Sequence, residues 1–330
     1  MTSMARRSTA LGAVILAFGL LVPSAASAAS AQGATTRIAY SKILPGGGAE
    51  IFVASPNGSG EQQVATPDLI EDFGVPLWSP DGSKLLITNM VRFDGAGELL
   101  PFRPSIVDPD GANYHLLPAI GAPFDMYCHA WAAAGTRLLC GFGGDRPGVF
   151  SVRASDGGDA QRLTMNPFGN TDVPWSMSPD GSQFAFLRYR PGPMPGPQPF
   201  RTEQVGIFIA NLDGSNVRQV VPYGVAQAHE IASASWSPDG RQILSTTKSG
   251  RLFVVRVDGT GLAQLKLDVS SKGTFAYQPA WSPDGTRIIF GMVRDGQADL
   301  YTADPNGSHV VQVTDSPDFE NGPTWAVASN

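Results

Sequence analysis

Short apolar runs alternate with polar turns from residue 36 to residue 327. Typical runs are 85–87, 184–186 and 288–290, each followed by a polar loop. Runs of this length, rich in β-branched and aromatic residues and bounded by glycine, proline and aspartate, predict β-strands. No window shows the 3.6-residue period of an amphipathic helix. The pattern therefore predicts an all-β fold.

A tryptophan-centred motif recurs along the same stretch and divides it into six units. In four copies the turn Ser-Pro-Asp-Gly follows a tryptophan or, once, a methionine. Two degenerate copies keep the tryptophan without that turn. The six marker residues are Trp78, Trp131, Met177, Trp236, Trp281 and Trp325, at intervals of 53, 46, 59, 45 and 44 residues. A period in the mid-forties with frequent turn signals is typical of four-stranded propeller blades.

Each Ser-Pro-Asp-Gly segment has the composition of a tight hairpin turn. Proline presets φ, aspartate bonds back to the backbone, and glycine accepts the left-handed conformation. We expect the tryptophans to wedge between blades and bury a large apolar surface. The alternatives are metal binding by the aspartates and ligand stacking by the tryptophans. The residues assigned these structural roles are Trp78, Asp81, Gly82, Trp131, Asp180, Gly181, Trp236, Asp239, Gly240, Trp281, Asp284, Gly285 and Trp325.

The first and last strands of the repeat complement each other. Residues 322–327 form a tryptophan strand with no strands after it, whereas residues 36–65 contain three strands with no tryptophan strand before them. We therefore predict that residues 322–327 are the innermost strand of a composite blade completed by residues 36–65. Sheet hydrogen bonds would then close the ring and protect its edges. The predicted fold is a six-bladed β-propeller of four-stranded blades, spanning residues 36–327.

Residues 1–28 have the three parts of a secretory signal peptide. An arginine pair at residues 6–7 precedes an apolar run at residues 10–22, and small residues follow, with cleavage expected after Ala28 or Ala31. The apolar run is too short to span a bilayer comfortably. We expect a secreted or periplasmic monomer that has no membrane span once the signal is removed. General secretion is favoured over twin-arginine export.

The charge balance excludes two classes of partner. Removal of residues 1–28 takes the formal net charge from −6 to −8, and no remaining stretch is rich in lysine or arginine. Nucleic acid and anionic membrane surfaces attract basic patches. Neither is therefore an expected partner.

Three consecutive segments together resemble the TolB-type, or PD40, WD40-like propeller repeat. They are the turn Trp281-Ser-Pro-Asp-Gly285, the strand Ile-Ile-Phe at 288–290 and the segment Leu-Tyr-x-x-Asp-x-Asn-Gly at 300–307. The resemblance covers residues 36–327. It concerns the propeller only, because TolB carries an α/β domain ahead of its blades. The resemblance implies partner binding on a propeller face or at a channel mouth, and it implies no chemistry.

A carboxylate precedes the marker residue in five of the six units. Asp72, Asp125 and Glu230 lie six residues before it, and Asp172 and Glu320 lie five before it. Inner strands line a propeller channel, so in register these acids would ring one channel mouth. Such a ring would favour a cation, calcium above all, or a basic peptide segment. The alternative is that the acids are solvated or satisfy loop backbone.

Two of the four histidines, His129 and His229, fall on predicted inner strands and are further channel candidates. No two histidines share the close spacing of a metal pair, and a three-ligand site would need residues from several blades. The metal is therefore unknown, and no cofactor is assigned. A metal-dependent lyase or hydrolase with a channel site stays open as an alternative. The chain contains no Gly-x-Ser-x-Gly elbow of a serine hydrolase.

The two cysteines, Cys128 and Cys140, flank the degenerate turn that follows Trp131. If the hairpin pairs Ala132 with Thr136, the cysteines face each other across adjacent strands. Disulfides are common in exported proteins. We therefore predict a disulfide between Cys128 and Cys140.

Two segments depart from the repeat. Residues 190–199 are proline-rich, which favours polyproline II or disorder, and residues 90–102 lengthen the first interval. Either is a recognition element or a tolerated insertion. The leading hypothesis is an exported scaffold that binds a protein partner at the channel mouth or a face. The alternatives are a small-ligand or carbohydrate-binding propeller and the metal-dependent enzyme, which is the less favoured.

Overall fold

The computed structural model describes residues 36–44, 48–64, 74–88, 92–93, 99–100, 103–118, 126–142, 147–168, 172–191, 203–223, 231–269 and 274–327. All of these belong to the compact unit Gly33–Asn330. The predicted signal peptide, 1–28, lies outside them. No helix in the described part of the chain has the length and apolar character needed to cross a membrane.

The described residues form six four-stranded antiparallel sheets, which are the blades of a β-propeller. Along the chain come β1 (Thr36–Ile43), β2 (Ala49–Ala54) and β3 (Gln62–Val64) of blade 1. Blade 2 contains β4 (Val75–Trp78), β5 (Leu85–Thr88), β8 (Ser105–Val107) and β9 (His115–Leu116). A separate hairpin between β5 and β8 consists of β6 (Arg92–Phe93) and β7 (Leu99–Leu100). Blade 3 contains β10 (Met126–Ala132), a 3₁₀ turn (Ala133–Gly135), β11 (Arg137–Phe142), β12 (Val149–Arg153) and β13 (Gln161–Arg162).

The remaining strands complete the ring. Blade 4 contains β14 (Asp172–Met177), β15 (Gln183–Pro191), β16 (Glu203–Asn211) and β17 (Arg218–Val221). Blade 5 contains β18 (Ser235–Trp236), β19 (Gln242–Thr246), β20 (Leu252–Arg256) and β21 (Ala263–Gln264). Blade 6 contains β22 (Phe275–Trp281), β23 (Ile288–Arg294), β24 (Gln297–Ala303) and β25 (Val311–Gln312), and β26 (Phe319–Val327) is the last strand. The inner strands β26, β4, β10, β14, β18 and β22 contact one another in that cyclic order.

Blade 1 is closed by both ends of the repeat, as predicted. Strand β26 pairs antiparallel with β1, and Trp325 lies opposite Ile38. The sheet order is β26-β1-β2-β3, so the last strand is the innermost one. β26 begins at Phe319, three residues before the predicted start. It extends past an irregularity at Gly322, whose φ is 61°.

The marker tryptophans pack across blade boundaries. Trp131 of blade 3 lies in one buried cluster with Leu86 and Ile106 of blade 2. Its indole Nε1 also donates to the carbonyl oxygen of Leu77 at 2.9 Å. Trp236 of blade 5 is buried in the same way against strands of blade 4. Burial of a large ring between blades removes apolar area from water and so stabilises the fold.

The Ser-Pro-Asp-Gly turns are closed by side-chain hydrogen bonds. Ser79 Oγ donates to Asp81 Oδ1 at 2.6 Å and accepts from the backbone N–H of Lys84 at 2.9 Å. Gly82 takes the left-handed conformation, with φ 69°. The hydrogen bond from Ser79, followed by that from the Ser83 N–H, lowers the pKa of Asp81. The turns beginning at residues 178, 237 and 282 repeat the two serine contacts.

Blade 3 replaces this turn with a 3₁₀ turn, in which Ala133 and Ala134 have left-handed φ values of 48° and 52°. Cys128 and Cys140 lie opposite each other and are joined by a disulfide. The predicted pairing of Ala132 with Thr136 is wrong, because Ala132 lies opposite Arg137. A β-bulge between Cys128 and Ala130 absorbs the one-residue offset and brings the cysteines back into register.

The two irregular segments are partly described. Strand β15 continues through Pro191, which pairs with Glu203, so the blade 4 hairpin extends into the predicted proline-rich loop. Residues 192–199 lie outside the described residues. In the 90–102 segment, Arg92 pairs with Leu100 in the short β6–β7 hairpin.

Candidate binding sites along the central channel

The channel has two ends with different construction. Each inner strand runs from one end of the channel to its marker residue near the other end. In blades 2 to 6 a tight turn after the marker sends the next strand back. We call the end with the marker residues the tryptophan end. The opposite end, with the starts of the inner strands and the connections between the second and third strands of each blade, is the loop end.

A cavity of about 180 Å³ lies between the two ends, and all six inner strands line it. We call it the channel cavity. Its lining includes His129, Trp175, Gln278 and Thr324. None of the described lining residues carries a formal charge at neutral pH. A larger space of about 320 Å³, which also contacts His129 and Trp175, continues to the tryptophan end.

Irregularities in the inner strands place the side chains that line this cavity. The β10 bulge lies at His129, the β14 bulge at Trp175, and the β22 irregularity includes Gln278 and Pro279. A bulge inserts an extra residue and redirects its side chain. Three of the lining residues, His129, Trp175 and Gln278, therefore stand at breaks in strand pairing.

His129 is a neutral group in this setting. Its ring stacks on Trp175, with centroids 5.1 Å apart and planes 17° apart, and meets the ring of Tyr127 edge-on at 6.1 Å. Burial lowers the pKa of His129 to about 4. The imidazole is therefore uncharged at physiological pH and offers one donor and one acceptor nitrogen.

The structure describes two of the five acids expected at the channel mouth, and each already has partners. Asp172 is fully buried and accepts two hydrogen bonds from Arg188, from Nε at 2.8 Å and from an η-nitrogen at 2.6 Å. Thr164 Oγ1 donates to the same carboxylate at 2.7 Å. Asp172 therefore binds Arg188 of its own blade and Thr164, which is held against blade 3, and is not a free acid of the channel.

Glu320 is also fully buried. It accepts hydrogen bonds from the hydroxyl groups of Thr314 and of Ser316, the latter at 2.9 Å, and lies 3.6 Å from Lys42 Nζ. Burial raises the pKa of Glu320. Because Lys42 lies opposite it on β1, this carboxylate belongs to the closure of blade 1.

The other expected mouth residues, Asp72, Asp125, Glu230 and His229, lie outside the described residues. Within the described part of the chain, no group of three or more His, Cys, Asp or Glu side chains is placed to hold a metal ion.

At the loop end lies a groove of about 580 Å³, which we call the aromatic groove. Phe275, Tyr277, Phe319 and Lys248 line it. The ring of Tyr277 stacks on that of Phe319, with centroids 5.7 Å apart. The ring of Phe275 also contacts Tyr277, with centroids 6.2 Å apart. Phe275 and Phe319 are each 37% exposed, which is high for phenylalanine.

The groove residues were missed in the sequence, although a signal was present. Phe275 and Phe319 lie six residues before Trp281 and Trp325, the same offset at which other units carry acids. An apolar residue at a strand start is ordinarily assigned to the core, so the sequence alone gives the two phenylalanines no binding role.

The groove is also preorganised, because a side chain at Gly250 would collide with Phe275 and one at Gly291 would collide with Tyr277.

These features define a six-bladed β-propeller with a lined central channel. No family model matches the chain. An uncharacterised protein of Agrobacterium fabrum is 27% identical over 229 residues, which are 57% of this chain and 69% of that protein.

Three solved structures illustrate the fold. A TolB-type protein of Agrobacterium tumefaciens has a TM-score of 0.59 at 18% identity, covering 88% of this chain and 91% of its own. TolB of Acinetobacter baumannii has a TM-score of 0.64 at 17% identity, and the match covers 88% of this chain and 66% of TolB. An oligogalacturonate lyase in complex with manganese has a TM-score of 0.50 at 13% identity, covering 84% of this chain and 73% of its own. The chain is thus similar to TolB proteins in its propeller fold.

Proposed function

We propose that this protein is an exported propeller scaffold that binds a partner protein at the loop end, through the aromatic groove. The observation that carries the proposal is the exposed pair Phe275 and Phe319, at 37% each, beside a groove of about 580 Å³. Aromatic residues are enriched where proteins bind one another, and rigid concave sites favour such contacts.

The groove chemistry suggests the kind of segment that binds. Its aromatic residues favour an apolar anchor side chain, and Lys248, the charged residue among the described lining, favours a carboxylate nearby. We therefore propose an extended partner segment with an aromatic or aliphatic residue next to an acidic one. Tyr277 donates to the carbonyl oxygen of Glu320 at 2.5 Å, so the groove is ordered before binding and little entropy is lost.

Export is supported by two independent features. Residues 1–28 have the pattern of a secretory signal, and the disulfide between Cys128 and Cys140 suits an oxidising compartment. The likeness to TolB propellers supports a binding scaffold as the general role.

Affinity capture with paired variants tests the proposal. The wild-type protein and the double variant Phe275→Ser/Phe319→Ser are used to capture partners from the native envelope fraction or culture fluid. Val311→Ser is the matched control, because Val311 is 54% exposed on the outer strand β25, far along the blade from the channel. We expect the partner to be captured by wild type and control and lost by the double variant, with affinity lowered at least about tenfold. Equal capture by all three proteins would contradict the proposal.

A further inference from the structure

Gln278 has an unusual backbone conformation for its position. It lies on the inner strand β22 with φ 45°, in the left-handed region that glutamine rarely adopts. The strand pairing is interrupted here, between Tyr277 and Ala280. Backbone strain of this kind persists where the surrounding structure enforces it, and it clusters at functional sites.

The side chain of Gln278 is unusual as well. Its Oε1 atom is buried and has no hydrogen-bond partner among the described residues. Neighbouring polar groups of the cavity are satisfied: Ser176 Oγ donates to the carbonyl oxygen of Ala234, and Thr324 Oγ1 donates to that of Pro76, each at 2.7 Å. A buried acceptor without a donor is costly unless a ligand or water supplies one.

The rest of the channel cavity restricts the ligand. The described lining is uncharged, with aromatic and proline surfaces and a neutral His129, so an ion would lose its hydration without compensation. The cavity beside Gln278 has a volume of about 180 Å³ and opens into the larger space at the tryptophan end, so the part of a ligand that contacts Gln278 is small. One small ring with hydrogen-bond donors fits these limits.

We infer that the channel cavity is a second binding site, for a neutral monosaccharide-type polyol, with Gln278 as the main hydrogen-bond acceptor. A sugar ring presents an apolar C–H face suited to Trp175 and hydroxyl donors suited to Gln278 and His129. Gln278 lines both the channel cavity and the aromatic groove, so the two spaces adjoin at this residue. This site does not depend on the proposed protein partner.

Titration with sugars tests the inference. Wild-type protein is titrated with a panel of neutral hexoses and pentoses, with glucuronate and with adenine, by calorimetry and by tryptophan fluorescence. We expect saturable binding of at least one neutral sugar, with weaker or absent binding of glucuronate and adenine. Absence of saturable binding by every neutral sugar overturns the inference, and so does preferential binding of adenine or glucuronate.

Variants of Gln278 separate binding from folding. Gln278→Leu removes the acceptor and is expected to lower sugar affinity at least about tenfold. Gln278→Gly also removes it while relieving the left-handed strain, so its thermal midpoint is expected to equal or exceed that of wild type. Gln264→Leu, an exposed glutamine on β21, is the matched control and keeps wild-type affinity. Wild-type sugar affinity in Gln278→Gly would overturn the assignment.

Discussion

The two ends of the channel differ in how far they follow the repeat. At the tryptophan end, four turns have the same serine–aspartate hydrogen bonds and large rings fill the blade boundaries. At the loop end, one offset carries acids in some units and the exposed Phe275 and Phe319 in others. Regular positions build the ring, and the departures from regularity create the surfaces suited to binding.

The largest expected effect comes from opening the ring. Deletion of residues 319–330 removes β26, the inner strand of blade 1, and exposes the edge of β1. We expect cooperative loss of the whole fold, at both ends, in thermal unfolding followed by circular dichroism. Deletion of residues 328–330 alone is the control and leaves β26 intact. An unchanged melting temperature in the longer deletion would refute the structural role of closure.

The next largest expected effect is on stability, and it differs between the tryptophan end and the loop end of the channel. Trp131→Ala removes a ring that is 7% exposed, packs between blades 2 and 3 and donates to Leu77. We expect a loss of about 3–5 kcal/mol in the free energy of unfolding, measured in denaturant, because a cavity remains. Phe319→Ser, at the loop end, is expected to cost less because that ring is partly exposed. Similar losses for both variants would remove the distinction between the ends.

The disulfide of blade 3 is expected to contribute less. It spans 12 residues, so the double variant Cys128→Ala/Cys140→Ala should lose about 3 kcal/mol at most. Denaturant unfolding of the wild-type protein with and without reductant provides the measurement. The reductant should have no effect on the double variant. Two free thiols in the oxidised, denatured wild-type protein would show that the bond does not form.

The smallest expected effect is on how the stability of the fold depends on pH. Because the folded-state pKa of Asp81 is lowered, its contribution to stability is present above its unfolded pKa of about 4 and is lost as pH falls through the folded value. Asp81→Asn should therefore lose stability near neutral pH and show a shallower decline in acid. Unfolding free energies measured across the acid range will show this slope. A slope equal to that of wild type would argue against the turn as its source.

The fold was predictable because its information is local and repeated. The Trp-Ser-Pro-Asp-Gly turns marked the blades, and the unmatched strand 322–327 required a partner near residue 36. The channel surface was less predictable, because bulges at His129 and Trp175 depend on pairing between strands. A shift of one residue turns a side chain to the other face.

The acids predicted at the channel mouth were also difficult to place from the sequence alone. The spacing of Asp172 before its marker suggested a channel position, but the hairpin places Arg188 directly opposite and buries the pair. That partner is sixteen residues away and is visible only once the hairpin register is known. The unusual backbone of Gln278 had no signal in the sequence, because glutamine has no preference for left-handed φ.

The division between a structural tryptophan end and a binding loop end is tested most directly by measuring two quantities on the same two variants. Partner affinity and unfolding free energy are determined for Trp131→Ala and for Phe275→Ser/Phe319→Ser. For Trp131→Ala, we predict a large loss of stability and wild-type partner affinity in the molecules that remain folded. For Phe275→Ser/Phe319→Ser, we predict a loss of partner affinity and a small loss of stability. Retained partner affinity in the phenylalanine variant would contradict the assignment of binding to the loop end.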